Sequence, residues 1–498
     1  MSKSQSPLTR QPVVAILGHV DHGKSTLLDY IHKSNVVDGE AGGITQSISA
    51  YEANVNGRPI TFIDTPGHEA FQHMRERGVE IADVAVLVVS AEDGVKTQTL
   101  EALKAITESG VPYLVAINKI DKPGADIERT KMNLVENGIY LEGMGGDITY
   151  VPISAKQGTG VDDLLENILL INDMNPKPFN DKSEATGQIL ESFVDQKRGI
   201  SATLIIRDGV MPSSGAILAG CAYSPIRIVE DFKGKAIKNA QAGQPVKVTG
   251  FDEIPKAGSI FISSSDKKEI EKLQEEAKEN TKKVILDPKL YRNAKVVVPV
   301  IIKAKSLGSI EAIKYELKKF ETNDVKIKIL VENVGNITEG DIMLASGDEK
   351  TLILGFDVSL EAKARDQADR FGFKPQIFDI IYKLSEWFAT EVESRMPYEE
   401  VETMIGTLKV LKTFNTDKDK HVVGGKVLEG IMRDGAVVKI VRRDFEIGRG
   451  RVTNLQSMKI KAKEVTEGNE CGIEIETKSE IIPGDTVVAF NVEKKKSI

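Results

Sequence analysis

Cysteine is nearly absent from this chain: Cys221 and Cys471 are the only two among 498 residues. Two thiols so far apart build neither a disulfide framework nor a cysteine metal centre, and they suit a reducing compartment. The longest apolar run, Val84–Val89 with its small neighbours, is far short of the roughly 20 residues of a membrane span. Residues 1–12 are polar and lack the apolar stretch of a secretory leader. An excess of basic charge is missing too: 66 Lys and Arg against 74 Asp and Glu leave a formal charge of −8. That balance argues against a protein that coats nucleic acid indiscriminately, and it leaves room for an RNA contact on one face. The expectation is a cytoplasmic chain without a membrane partner. Its 41% hydrophobic and 28% charged residues are ordinary for folded domains. A chain of this length exceeds what one core supports, so three or four domains are expected.

What the chain does have is concentrated in Gly18-His19-Val20-Asp21-His22-Gly23-Lys24-Ser25. The run fits G-x-x-x-x-G-K-[ST], the loop that cradles phosphates. Val13–Leu17 before it reads as a buried parallel strand, and Thr26–Ile31 after it has apolar residues spaced for a helix. Strand, tight glycine turn and helix start aim several backbone N–H groups at one spot, which favours a polyphosphate. Lys24 is placed to reach the β- and γ-phosphates, and the Ser25 hydroxyl to take a Mg²⁺ position.

From 11 to about 174, short apolar runs alternate with helical stretches. The runs are Ile60–Ile63, Val84–Val89, Tyr113–Ile117 and Tyr150–Ile153; the helices fall near Thr97–Thr107, Ile127–Asn137 and Asp162–Ile171. That alternation predicts a parallel sheet covered on both faces, with ligands at the carboxyl ends of the strands. The remaining motifs stand at those ends. Asp64-Thr65-Pro66-Gly67-His68 offers a carboxylate to hold Mg²⁺ through water, and Gly67 leaves the backbone free to swing toward a γ-phosphate. Thr45, in Gly42-Gly43-Ile44-Thr45-Gln46, completes the Mg²⁺ shell if its loop closes, which makes it an order–disorder switch. Asn118-Lys119-Ile120-Asp121 carries an acid that accepts two hydrogen bonds from guanine, where adenine has no matching donors. Ser154-Ala155-Lys156 pads the base from the other side. Five motifs in this order make a GTP site. His19, His22, His32 and His73 lack metal-ligand spacing and read as non-ligands.

A polar linker, Asn172–Ala185, follows. From Thr186 to about Ser265 short strands alternate with glycines, the pattern of a small β-barrel. It recurs near the C-terminus, where Gly430-Ile431-Met432 and Gly435-Ala436 parallel Gly209-Val210-Met211 and Gly215-Ala216. Two copies of one barrel is the reading, with convergent strand-and-turn composition as the alternative. Between them, Asp266–Lys283 reads as a charged helix with a narrow apolar stripe. Val296–Ile302, Val325–Val331, Thr351–Phe356 and Pro375–Phe378 alternate with helices, giving a second α/β domain without a phosphate loop. Ser306-Leu307-Gly308-Ser309 before its first helix is read as a helix cap rather than an anion site. Ile380–Arg395, with the only tryptophan, Trp387, reads as a linking helix that Pro397 ends.

The five nucleotide motifs resemble those of translational GTPases. Gly18–Lys24, Glu40–Gln46 and Asp64–Phe71 are closer still to the bacterial translation initiation factor 2 family, and the resemblance covers about 11–493. It implies a multidomain α/β plus β chain. A short disordered terminus at 1–10 precedes a P-loop GTPase domain at 11–174, a β-barrel at 186–265 and a helical linker at 266–294. The second α/β domain at 295–379, a linking helix at 380–401 and a C-terminal β-barrel at 402–493 complete the chain. It further implies that His68 orients the attacking water behind a hydrophobic gate of Val20 and Ile44. Phosphoryl transfer suits such a residue, because positioning and charge stabilisation supply most of the catalysis. The implied cofactors are GTP/GDP and Mg²⁺. The implied partners are both ribosomal subunits and formylmethionyl initiator tRNA, the latter held by the final barrel, with a monomer expected in solution.

Glu470-Cys471-Gly472 matches a stretch the family uses in that tRNA pocket, although Cys471 also reads as a small buried core residue. The chain departs from the family pattern nearby. Gln456-Ser457-Met458 stands where many members carry Lys-Arg and an aromatic, and Lys426 stands where they often carry cysteine. Lys459, Lys461 and Lys463 follow closely. Two other readings stay open: a different translational GTPase, and an RNA-binding scaffold with an idle nucleotide site.

Overall fold

The structure, a computed structural model, describes residues 8–33, 44–195, 197–212, 214–280, 295–396, 398–417, 419–458 and 460–496. Glu40–Gly43, Thr281, Lys283, Pro397 and Lys459 lie outside the described residues. The chain divides into two compact units, one ending at Ala389 and one starting at Thr390.

The first unit begins with β1 (Leu8–Thr9), β2 (Val13–Gly18), α1 (Lys24–His32), β3 (Ser49–Val55), β4 (Arg58–Asp64) and α2 (Gln72–Ile81). It continues through β5 (Val84–Ser90), α3 (Thr97–Ser109), β6 (Tyr113–Asn118), α4 (Ile127–Glu136), β7 (Tyr150–Pro152), α5 (Val161–Met174) and β8 (Pro178–Phe179). Six of these strands form a sheet in the order β3-β4-β2-β5-β6-β7. Every residue of β2 and β5 is buried, because helices cover both faces. Alternate side chains of β2 therefore enter two cores. Val14 and Ile16 pack with Leu27 and Leu28 of α1 and Leu164 and Ile168 of α5. Ala15 and Leu17 pack with Ala102 and Ile106 of α3 and Leu134 of α4. Each such buried Val, Ile or Leu side chain contributes about 1.5–3 kcal/mol relative to exposure.

Three features correct the sequence reading. The sheet is not wholly parallel: β3 pairs antiparallel to β4, with Ser49 opposite Asp64. The terminus expected to be disordered is ordered at 8–10. There β1 pairs with β8, and the buried Arg10 guanidinium meets Asp83 Oδ1 at 2.6 Å. Helix α2, absent from the reading, follows the Asp64–His68 motif and carries no clean apolar stripe.

Strands β9 (Thr186–Asp195) and β10 (Gly199–Asp208) then centre an antiparallel eight-stranded sheet around one apolar core that includes Ile189, Leu204, Val248 and Phe261. Helix α6 (Lys267–Asn280) seats Ile270 of its stripe on Ala216 and Leu218. A parallel four-stranded sheet follows, in the order Val325–Val334, Val296–Ala304, Leu352–Phe356 and Gln376–Phe378. Its helices are α7 (Leu307–Lys318), α8 (Glu339–Ala345) and α9 (Ala362–Phe371). Helix α10 (Ile381–Arg395) buries Ile381, Leu384 and Phe388 in its first turns, with the Phe388 ring 5.5 Å from that of Phe320.

In the second unit six antiparallel strands close on themselves. Tyr398–Asp417 pairs with Thr486–Lys496 on one side and with Lys420–Arg433 on the other, and Val437–Arg442, Phe445–Ser457 and Glu470–Glu476 complete the ring. Its core includes Leu408, Val427, Ile440, Leu455 and Ile475.

Candidate functional site

The sharp turn from β2 into α1 depends on Gly23, which has a φ of +86°. A Cβ there would lie 2.4 Å from the Asn118 side-chain nitrogen, so only glycine lets the loop sit so close to the end of β6. No side chain caps α1, so its first N–H groups face the loop. The Lys24 ammonium folds into this cradle, donating to Gly18 O at 3.0 Å and His19 O at 2.7 Å. Burial pushes its pKa down to about 8, against the pull of Asp64. A polyphosphate entering here would meet a desolvated cation and a helix N-terminus together. Burial also lowers His22, to about 3, and its Nδ1 faces Val88 O at 3.3 Å.

The Mg²⁺ set is tested by its own oxygens. Ser25 Oγ lies 2.7 Å from Thr45 Oγ1, and Thr45 Oγ1 donates to Asp64 Oδ2 at 3.3 Å. Two hydroxyls and a carboxylate drawn from α1, the segment carrying Thr45 and β4 thus face one point. Oxygen donors of this kind, with room for water, fit Mg²⁺.

His68 follows at the same end of the sheet. Its Nδ1 accepts the Ala70 N–H at 2.9 Å, and burial lowers its pKa, so the ring is neutral with Nε2 carrying the proton. Gly67 lies against the phosphate loop, where a Cβ would be 2.7 Å from the Lys24 ammonium. Val20, Ile44, Thr45, Gly67 and His68 share one cavity of about 260 Å³ with Asp21, Gly23, Lys24 and Ser25. Thr65 looks away from it: its hydroxyl donates to Ile16 O at 2.7 Å and ties β4 to β2.

The far end of that cavity is lined by Asn118, Lys119, Asp121, Ala155 and Lys156. Asn118 joins three motifs, donating to His22 O at 2.8 Å and accepting from Ala155 N at 3.0 Å. The Ser154 hydroxyl donates to Asp121 Oδ1 at 2.7 Å, which orients the carboxylate and lowers its pKa. An ionised, aimed carboxylate is the acceptor a guanine edge requires.

Several residues around the site escaped the sequence reading. Gln98 of α3 accepts Val20 N–H at 3.0 Å. The Gln46 side chain donates to Asp379 O at 2.8 Å and accepts Ile381 N–H at 3.0 Å, and the Tyr382 ring stands edge-on to His68 at 4.3 Å. Arg75 is buried beneath the Pro66–His68 backbone. The Gln98, Gln46 and Tyr382 contacts join segments remote in sequence, and no local pattern announces them.

The stretch Glu470-Cys471-Gly472 lies in the second unit. Cys471 is buried in the barrel core, and burial pushes its thiol up to about 11. Glu470 is exposed beside Lys426 in the ladder, while Gly472 sits opposite Gly424 on one side and Gln456 on the other. The three residues alternate between faces, so at most Glu470 and Gly472 share a surface. Of the two readings left open, the barrel geometry favours Cys471 as core.

Comparison with known proteins assigns the parts. Residues 9–173 match the model of the elongation factor Tu GTP-binding domain, 184–264 that of elongation factor G domain 2, and 267–389 that of translation-initiation factor 2. The chain is 40% identical to translation initiation factor IF-2 of Carboxydothermus hydrogenoformans, over 98% of this chain and 60% of that protein. It is also 40% identical to IF-2 of Persephonella marina, over 98% of this chain and 57% of that one. The chain thus spans about three-fifths of the length of the curated relatives it matches. Among solved structures, GDP-bound aIF5B from Aeropyrum pernix is similar with a TM-score of 0.50 and 26% identity, over 97% of this chain and 92% of that one. Among the described residues no helix is long and apolar enough to cross a membrane.

Proposed function

Since the chain belongs to the translation initiation factor IF-2 family of translational GTPases, we propose that it hydrolyses GTP in the service of translation initiation. In this reading it positions formylmethionyl initiator tRNA on the small ribosomal subunit, promotes joining of the large subunit, and leaves after hydrolysis. It works in the cytoplasm as a monomer, and ribosomes stimulate its turnover.

One observation carries the reading: the phosphate loop, Ser25, Thr45, His68 and Asp121 line one cavity, and Asp64 stands behind Thr45 within hydrogen-bond reach of its hydroxyl. Lys24 and the helix start hold the β- and γ-phosphates. Ser25, Thr45 and Asp64 would hold Mg²⁺, and the ion would screen the charge that develops on the phosphates. Asp121 selects guanine. The neutral His68, its Nδ1 taken by the Ala70 N–H, presents Nε2–H toward the reacting end, where it orients water by hydrogen bonding. Val20 and Ile44 close over that approach. The GDP held by the Aeropyrum pernix relative supports GDP as the product this pocket retains.

The test is single-turnover GTP hydrolysis by the full chain and its His68→Ala variant, with and without ribosomes. A drop of about a hundredfold with GDP affinity intact is expected; an unchanged rate would remove His68 from the mechanism. The tRNA role is checked by protection of the formylmethionyl ester from hydrolysis, with unformylated methionyl-tRNA as control. Protection of neither ester would end the tRNA assignment.

A further inference from the structure

Helix α2 carries two arginines, and they are used differently. Arg77 reaches out of the GTP-binding domain to Glu311 of α7 at 2.9 Å. Arg75 turns inward and is 1% exposed. Its Nη1 donates to Gly67 O at 3.0 Å, to Pro66 O at 3.4 Å and, most closely, to His68 O. Its Nη2 is held by Glu101 of α3 at 2.7 Å. One planar cation therefore gathers three successive carbonyls of the loop that presents Gly67 and His68, and a carboxylate from a neighbouring helix fixes the cation's orientation.

Three carbonyl oxygens turned to one point would repel one another without a donor among them. A guanidinium suits the position because its donors are rigid and its charge persists under burial. The same carbonyls, committed to Arg75 on the inner side, leave the His68 ring on the outer side of the loop, lining the nucleotide cavity. Glu101 is the weaker end of the bracket, since a third of its side chain is exposed.

We propose that Arg75 is a positioning residue for GTP hydrolysis: oriented by Glu101, it fixes the Pro66–His68 backbone and thereby the placement of His68. The inference rests on the functional reading above. Loosening the bracket broadens the positions His68 samples, and displacements near 1 Å cost a reacting site up to about a hundredfold in rate. Nucleotide grip resides in the phosphate loop and the Asp121 region, so it is left alone.

The test uses Arg75→Lys and Glu101→Gln in the full chain. Arg75→Lys keeps a cation that cannot span three carbonyls and Glu101 together. The expectation is a kcat for GTP about tenfold lower in Arg75→Lys and about threefold lower in Glu101→Gln. KM and the Kd for GDP stay within about twofold in both. Because both substitutions act through one guanidinium, the double variant is no slower than Arg75→Lys alone. A parental kcat in Arg75→Lys, a Kd for GDP that weakens in step with kcat, or multiplied effects in the double variant would each overturn the proposal. If Arg75→Lys does not fold, Glu101→Gln decides, and a parental kcat there is fatal. His68→Ala separates the two levels: if it hydrolyses GTP normally the functional reading falls, and if it is slow while Arg75→Lys is not, only the bracket falls.

Discussion

The first unit contains two α/β sheets that begin alike and end differently. In each, a buried parallel strand runs into a turn and then a helix at the carboxyl end of the sheet. In the first, Gly23 occupies the cap position of α1 with no side-chain hydrogen bond, and Lys24 lies over the turn. In the second, Ser306 occupies the cap of α7 and its hydroxyl accepts Ser309 N–H at 3.3 Å. Ser306 also bridges Phe193 of β9, and its hydroxyl pulls down the pKa of the buried Glu191 on the same strand. One helix start is left open to a ligand, and the other is closed by its own serine and given over to joining a barrel. A parallel sheet supplies the location of a site, and an uncapped helix start is one condition for it.

The contrast breaks most severely if the open start is disarmed. Lys24→Ala should weaken GTP and GDP about a thousandfold by fluorescence titration, since no other ammonium lies on that turn. A loss under tenfold would mean that the backbone N–H groups alone hold the phosphates. Next in size is Asp121→Asn, which exchanges an acceptor for a donor on the base edge. GDP should weaken about a hundredfold while xanthosine diphosphate, whose edge accepts where guanine donates, should improve. Equal loss of both nucleotides would show that Asp121 supports the loop instead of reading the base.

How much of this was legible follows from the same physics. The first sheet's strands, its long helices and the five motifs are local patterns: unbroken apolar runs, glycines before a helix, acids after a strand. The capping role of Ser306 was local too, and the structure bears it out. Helix α2 was not legible because its buried residues include Arg75 and Arg77, whose partners lie on other elements, so its apolar stripe is broken. The β3 pairing depends on a hairpin through Asn56 and Gly57 that resembles many other turns. In the C-terminal barrel a three-residue stretch suggested a pocket, yet strand alternation sends Cys471 inward and its neighbours outward. A pocket assembled from several strands leaves no contiguous signature.

A smaller effect sharpens the closed helix start. Glu191 is buried against it, and burial raises its pKa from 4.5 to about 7, with Ser306, Arg77 and Lys305 pulling it down and Glu311 pushing it up. A raised carboxyl favours the protonated form in the folded state. Its contribution is complete below the unfolded value, is lost as pH rises through that window, and levels off above about 7. Glu191→Gln mimics the neutral form, so at pH 8 it should be more stable than the parent by about 3 kcal/mol, with the gap closing toward pH 4. Urea melts at the two pH values measure this, and a gap independent of pH would mean the carboxyl does not titrate there.

The smallest effect tests whether the capped start is structural alone. Ser306→Ala removes the acceptor of the Ser309 N–H, and cap deletions of this kind cost about 1 kcal/mol. The variant also opens the first turn of α7, leaving N–H groups as unbonded as those above Lys24. An open helix start is necessary for phosphate binding and not sufficient, because α7 begins with Leu307 and Gly308 where α1 begins with a lysine and a serine. Ser306→Ala should therefore lose its cap energy in a urea melt while binding one equivalent of GDP, as the parent does. A second equivalent would mean that a single hydroxyl is all that separates the two sheets' chemistry.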